Sequence, residues 1–165
     1  MRPLRFATVW LSGCSGCHMA LLNLHQGLTE LLETGELVYS PLADIKEYPS
    51  GVDLVLVEGA VGTERDRETA LTVRSRSAAV ISLGDCSSLG NVSALRNQDG
   101  ATATLERCYG SAADSPPRPS LLDRAVPLHH IIPVDIHIPG CPPEPEQIRH
   151  EVNRAIAEFK KKAHP

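Results

Sequence analysis

Aromatic side chains are scarce in this chain: one Trp, three Tyr and two Phe make up 4% of 165 residues. Any core must therefore be filled by Leu, Val, Ile and Ala. No apolar run approaches the roughly 18–20 residues that a membrane-spanning helix needs. Basic residues form no stripe interleaved with aromatics, which argues against nucleic acid as a partner. The one basic run, Lys160-Lys161-Lys162, falls at the end of a helical stretch, where cations complement the helix dipole. Arg2 and Arg5 are not adjacent, so there is no twin-arginine signal. The apolar residues after them lead straight into a cysteine motif and read as a first strand rather than a signal peptide. The five cysteines are an odd number with no secretion signal. That count speaks against a disulfide framework and for metal or redox chemistry in a reducing, cytoplasmic setting. The net charge of −4 is mild, and the length fits one domain over 1–165.

What is present is a strand-and-helix alternation. Leu4–Leu11 is followed by the turn Ser12-Gly13-Cys14-Ser15-Gly16-Cys17-His18. Leucines at 21, 24, 28, 31 and 32 then recur at helical spacing from His18 to Thr34, with Gly35 as C-cap. Glu36–Ser40 reads as a short strand. Val52–Val57 (VDLVLV) and Ser77–Leu83 (SAAVISL) read as strands covered on both faces. Between them, Thr63 is the expected N-cap of a polar helix to Arg76. The pattern weakens from Asn91 to Pro133, with short helices expected around Val92–Arg96 and Thr102–Tyr109 and a loop at Ser115–Pro119. A span of that length points to a binding loop or a partner contact. Val134–Ile138 is the last strand, and Glu144–Ala163 closes the chain as a helix with apolar positions 148, 152, 155, 156 and 159 on one face. Five strands alternating with helices predict an α/β, flavodoxin-like, doubly wound parallel sheet. In that fold ligands sit beyond the carboxyl ends of the strands.

The chemistry-bearing residues obey that geometry. Cys14 and Cys17 follow the first strand, Glu58 follows VDLVLV, Cys86 follows SAAVISL and Cys141 follows the last strand. Four thiols expected at one sheet edge are the ligand complement of a cubane, one per iron. Nearby glycines let the backbone approach a bulky group, and Pro142 after Cys141 resembles the Cys-Pro ending of ferredoxin ligand runs. Structural zinc also takes four thiolates, but more often on two compact knuckles than on one pair and two singletons. A thioredoxin-like dithiol would leave Cys86 and Cys141 without a role. A third alternative is FMN, its phosphate held at the helix start by Ser12, Gly13, Ser15 and Gly16.

Other polar residues carry less. Cys108 lies in the weakly patterned span and reads as a free thiol. Glu58 is either a solvated acid or a polar group beside the cysteines or at a subunit contact, and Asp85 is expected to cap its own turn. His18 reads as a surface residue that can alternatively reach the thiol site. His129, His130 and His137 read as structural histidines.

The segments WLSGCSGCHMALL, VEGAV, GDCSSLGNVSALRN and PGCPPEPEQI, in this order, resemble the small subunits of nickel–iron hydrogenases, in the short form found in cytoplasmic, bidirectional NAD-reducing types. The related respiratory complex I subunit carries adjacent cysteines at the first site, whereas Ser15 and Gly16 separate them here. The resemblance implies that Cys14, Cys17, Cys86 and Cys141 ligate one 4Fe-4S cluster and that Glu58 is the acid of the third-strand motif. It implies a large-subunit partner holding the nickel–iron centre, since this chain has one Cys-x-x-Cys pair where that centre needs two. It further implies flavin- and iron–sulfur-containing diaphorase partners and reversible hydrogen oxidation coupled to NAD. With no second cysteine-rich domain, one cluster is expected.

Overall fold

The computed structural model describes residues 2–110 and 119–162. Its centre is a five-stranded, all-parallel sheet. The elements that build it run β1 (Leu4–Trp10), α1 (Gly16–Leu22), α2 (Gln26–Thr34), β2 (Gly35–Tyr39), β3 (Val52–Glu58), β4 (Val61–Thr63), α3 (Glu64–Arg76), β5 (Ser77–Leu83), α4 (Gly84–Leu89), α5 (Asn91–Ala94), a 3-10 turn at Leu95–Gln98, α6 (Gly100–Tyr109), β6 (Leu121–Val126), a second 3-10 turn at Leu128–His130, β7 (Ile136–Ile138) and α7 (Pro145–Lys162). The sheet order is β2-β1-β3-β5-β7, while β4 and β6 form a separate antiparallel ribbon. This is the flavodoxin-like order expected from the alternation.

Every residue of β3 is buried, because helices cover both faces of the sheet. Strand periodicity divides its side chains between two cores. Leu54 and Leu56 join Leu4, Phe6, Ile81, Leu83 and Ile138 under α1, α2 and α7, which contribute Leu21, Leu31, Ile148 and Val152. Val55 and Val57 join Ala7, Val9 and Val80 under α3, with Ala70 and Val73. Both cores are almost wholly aliphatic, as the shortage of aromatics requires. The one charge inside VDLVLV, Asp53, is 3% exposed. It is satisfied by both arms of the Arg2 guanidinium, at 2.7 and 2.6 Å, and by the Arg5 amide at 2.9 Å.

Thr63 caps α3 as expected. Its hydroxyl accepts from the Asp66 amide at 3.0 Å, and the Asp66 carboxylate returns the contact to the Thr63 amide, a capping box. The single helix expected over 18–34 is instead two. His25, at φ 48, interrupts it between α1 and α2, and Leu32, placed by spacing on the buried face, is 44% exposed. Gly35 is not a left-handed cap. Its backbone is extended, and it leads directly into β2. A Cβ there would run into the Leu4 carbonyl of β1, so close strand approach demands glycine.

Three elements go beyond what the sequence signals. α4 begins at Gly84 with no intervening loop, and β4 and β6 pair across a long stretch of chain. The ribbon and α6 organise much of the span that showed weak periodicity. Of the expected loop at Ser115–Pro119, residues 115–118 lie outside the described residues.

Candidate metal centre

Three loops bring the cysteines together at the carboxyl ends of the central strands. The first leaves β1 and is zipped to the turn after β3. The Leu11 amide donates to the Glu58 carbonyl at 2.9 Å, and Ser12 and Ala60 exchange backbone hydrogen bonds at 3.0 and 2.8 Å. Cys14 is exposed in this loop, and Cys17, in the first turn of α1, is buried. The second loop starts at Gly84, which stands at φ 83 against the Cys17 sulfur. A Cβ at this position would overlap that sulfur, so the space belongs to the thiol. Cys86 follows, partly buried in α4. The third loop carries exposed Cys141 after β7, next to the cis Cys141–Pro142 peptide.

Asp85 joins the second and third loops at two points. Its amide donates to the Gly140 carbonyl at 2.9 Å, and its carboxylate accepts from the Gly140 amide at 2.8 Å. It therefore clamps the Cys86 loop to the Cys141 loop, where a cap on its own turn was expected.

The four thiols influence one another. Burial is the main cause that pushes the Cys17 thiol up to about 12, and Glu58, Cys86, Cys14 and Cys141 add to it. Burial likewise raises Cys86, with Cys14 and Cys141 adding to it. Such mutual effects place the four sulfurs within electrostatic range of one another. Among the described residues, no three His, Cys, Asp or Glu side chains are drawn together tightly enough to hold a metal ion as they stand. The thiols are neighbours rather than a closed chelate. Their soft donor chemistry and the room left for sulfur by Gly84 fit an iron–sulfur cluster, which takes one thiolate per iron.

His18 is not the surface residue that its place at a helix start suggested. It is 1% exposed, as is Glu58. The His18 backbone amide donates to Glu58 Oε2 at 2.8 Å, and the ring Nδ1 lies 2.5 Å from the same oxygen. The imidazole packs 5.5 Å from the Trp10 ring, and its Nε2 is buried without a hydrogen-bond partner among the described residues. Glu58 is thus the buried polar group of its two expected roles. Its contacts with His18 tie the end of β3 to the turn that holds Cys17.

Cys108 is exposed on α6 and lines a separate pocket with Arg96, Thr104 and Tyr109. His129, His130 and His137 are exposed and cluster edge to face, with ring centroids 4.7 and 5.7 Å apart. The turn considered for a flavin phosphate holds an anion of its own: Ser12 Oγ donates to Asp66 Oδ2 at 2.7 Å, which opposes phosphate there. Sequence reasoning also missed Asn91, whose amide Nδ2 donates to Cys141 Sγ at 3.3 Å. The only signal for it was its place in the GDCSSLGN segment.

Residues 14–155 match the family described as NADH ubiquinone oxidoreductase, 20 Kd subunit. The chain belongs to this family. The NAD-reducing hydrogenase HoxS subunit delta of Cupriavidus necator is 33% identical over 156 residues, covering 88% of this chain and 75% of that one. A vhu F420-non-reducing hydrogenase polypeptide of Methanocaldococcus jannaschii is 37% identical over 88% of this chain and 53% of its own. The chain thus spans about half the length of the F420-non-reducing relatives it matches. A solved NAD+-reducing [NiFe]-hydrogenase in the H2-reduced state superimposes with a TM-score of 0.86 at 30% identity, covering 94% of this chain and 93% of that one. The resemblance to nickel–iron hydrogenase small subunits drawn from the four motifs holds. Among the described residues, no helix is long and apolar enough to cross a membrane.

Proposed function

We propose that this chain is the electron-transfer small subunit of a cytoplasmic nickel–iron hydrogenase that reduces NAD, and that Cys14, Cys17, Cys86 and Cys141 hold one 4Fe-4S cluster. The observation that supports the reading is that four thiols, spread over most of the chain, follow the carboxyl ends of neighbouring parallel strands and lie close enough to influence one another. Such a cluster, when bound, accepts and returns one electron at a time. The chain's own contribution is to present four sulfurs, bury the site on the Cys17 side and surround it with oriented donors that set its potential. Cys14 and Cys141 are exposed, which leaves that side of the site open to a partner subunit.

In this reading the nickel–iron centre belongs to a large-subunit partner, and a flavin and iron–sulfur diaphorase partner passes electrons to NAD. The overall reaction is H2 + NAD+ to NADH + H+, reversibly. Structural likeness to a chain of an NAD+-reducing enzyme, with a TM-score of 0.86 at 30% identity, supports the NAD-linked form over that of the F420-non-reducing polypeptides. The higher identity to the latter supports a second reading, the same cluster serving another electron acceptor.

Purification without oxygen followed by iron and labile sulfide analysis tests the assignment. About four of each per chain are expected for a cubane, whereas zinc without sulfide overturns it. Cys86→Ser is expected to lose iron, sulfide and hydrogen-dependent NAD reduction together, and full activity in that variant contradicts the ligand set. Reduction of a different acceptor by the purified complex, with NAD left unreduced, selects the second reading.

A further inference from the structure

Asn91 follows Gly90, opens α5 and itself stands at φ 41, in the left-handed region. Glycine is the least costly residue there, and asparagine is among the few side chains that tolerate it. What asparagine adds is a carboxamide, and this one reaches a thiol 50 residues away, with Nδ2 donating to Cys141 Sγ at 3.3 Å. Cys14 and Cys17 are held near each other by the chain, with only Ser15 and Gly16 between them. Cys86 and Cys141 have no such link; besides the Asp85 clamp, Asn91, in the segment that follows Cys86, reaches Cys141 itself.

We propose that Asn91 is a positioning residue for the cluster site: its carboxamide ties Cys141 to the segment that follows Cys86 and, through its N–H on a ligating sulfur, raises the potential at which the site takes an electron. This rests on the cluster reading above. The physical reason is charge. Reduction adds negative charge that is shared by the sulfurs, so a hydrogen-bond donor stabilises the reduced state more than the oxidised one. A role confined to starting α5 would leave the potential unmoved.

Two substitutions separate the roles. Asn91→Gly accepts φ 41 without strain and deletes the carboxamide; Asn91→Asp keeps its shape and replaces the donor with an anion. The full chain, with whatever subunits purify alongside it, is isolated without oxygen. Iron and labile sulfide are counted, iron loss to a chelator is timed, and a redox titration of the reduced cluster's electron paramagnetic resonance signal gives the midpoint. In Asn91→Gly, iron is expected to be held about 10-fold less well, in the range usual for lost outer-shell partners, with a more negative midpoint. Asn91→Asp is expected to be more negative still. Val92→Ala, on an exposed neighbour, is expected to keep the parent's midpoint. An iron-loaded parent whose midpoint and iron retention are unchanged in both Asn91 variants overturns this inference alone. A parent with no iron or sulfide overturns the cluster reading and this inference with it.

Discussion

Glu58 and His18 are the pair on which the interior side of the thiol site depends. Both are buried, and one carboxylate oxygen receives both the backbone and the ring nitrogen of His18. Removing a partner from a buried polar contact leaves the other group desolvated and unpaired, which costs more than the contact itself contributes. Glu58→Ala is therefore expected to destabilise the chain by about 2–4 kcal/mol. Glu58→Gln, which keeps an acceptor for the His18 amide, is expected to lose about 1 kcal/mol. Denaturant unfolding followed through Trp10, the only tryptophan and 5.5 Å from His18, measures both. Equal stability of parent and Glu58→Ala would show that the pair contributes nothing to the fold. Position in the sequence placed Glu58 at a strand end, but its partner lies 40 residues earlier, and only packing shows that the two meet. The same holds for Asn91 and Cys141, since nothing local in an Asn-Val-Ser segment signals a thiol 50 positions on.

The elements follow local rules where one face or both faces bury apolar side chains. β3 and β5 were readable because continuous Val, Leu and Ile runs of strand length are what a doubly covered strand requires. α7 was readable because its apolar positions recur at helical spacing. The departures have equally physical causes. The leucine spacing continues smoothly across Asn23–His25, yet His25 takes a positive φ, so periodicity alone could not reveal the break. β4 has three residues and exists by pairing with β6, a partner distant in sequence. α4 follows β5 without a loop because Gly84 turns the chain at φ 83, and the same residue leaves room for the Cys17 sulfur. Gly84→Ala meets both constraints at once. It is expected to cost about 1–3 kcal/mol for the backbone conformation alone and to lower iron occupancy, because the added methyl takes the place of the sulfur. Thermal unfolding and iron analysis of the variant check this. An alanine variant with the parent's stability and iron content would contradict the close approach.

Across the whole molecule, the candidate ligands span Cys14 to Cys141 and come from three loops that the sheet aligns. A group bound by all four ties together chain segments that the unfolded state holds far apart, so its binding energy adds to folding stability. The iron-loaded chain is expected to melt about 5–10 °C above the iron-free chain, as several kcal/mol of ligand stabilisation implies for a domain of this size. Calorimetry before and after anaerobic iron removal measures the difference, and coincident transitions would argue against a shared site. The order β2-β1-β3-β5-β7 makes this possible by setting the ends of β1, β3, β5 and β7 along one rim.

By itself the sequence determined the fold class, most strand and helix positions and the placing of four candidate thiols after strands, because each leaves a local mark: an apolar run, a helical spacing, a cysteine after a strand. Tertiary structure alone decided that His18 is buried on Glu58, that Asp85 clamps the Cys86 and Cys141 loops and that Asn91 donates to Cys141. Those contacts join residues 40–55 positions apart, and their energy comes from desolvation and directed hydrogen bonds, which exist only after the sheet has brought the loops together.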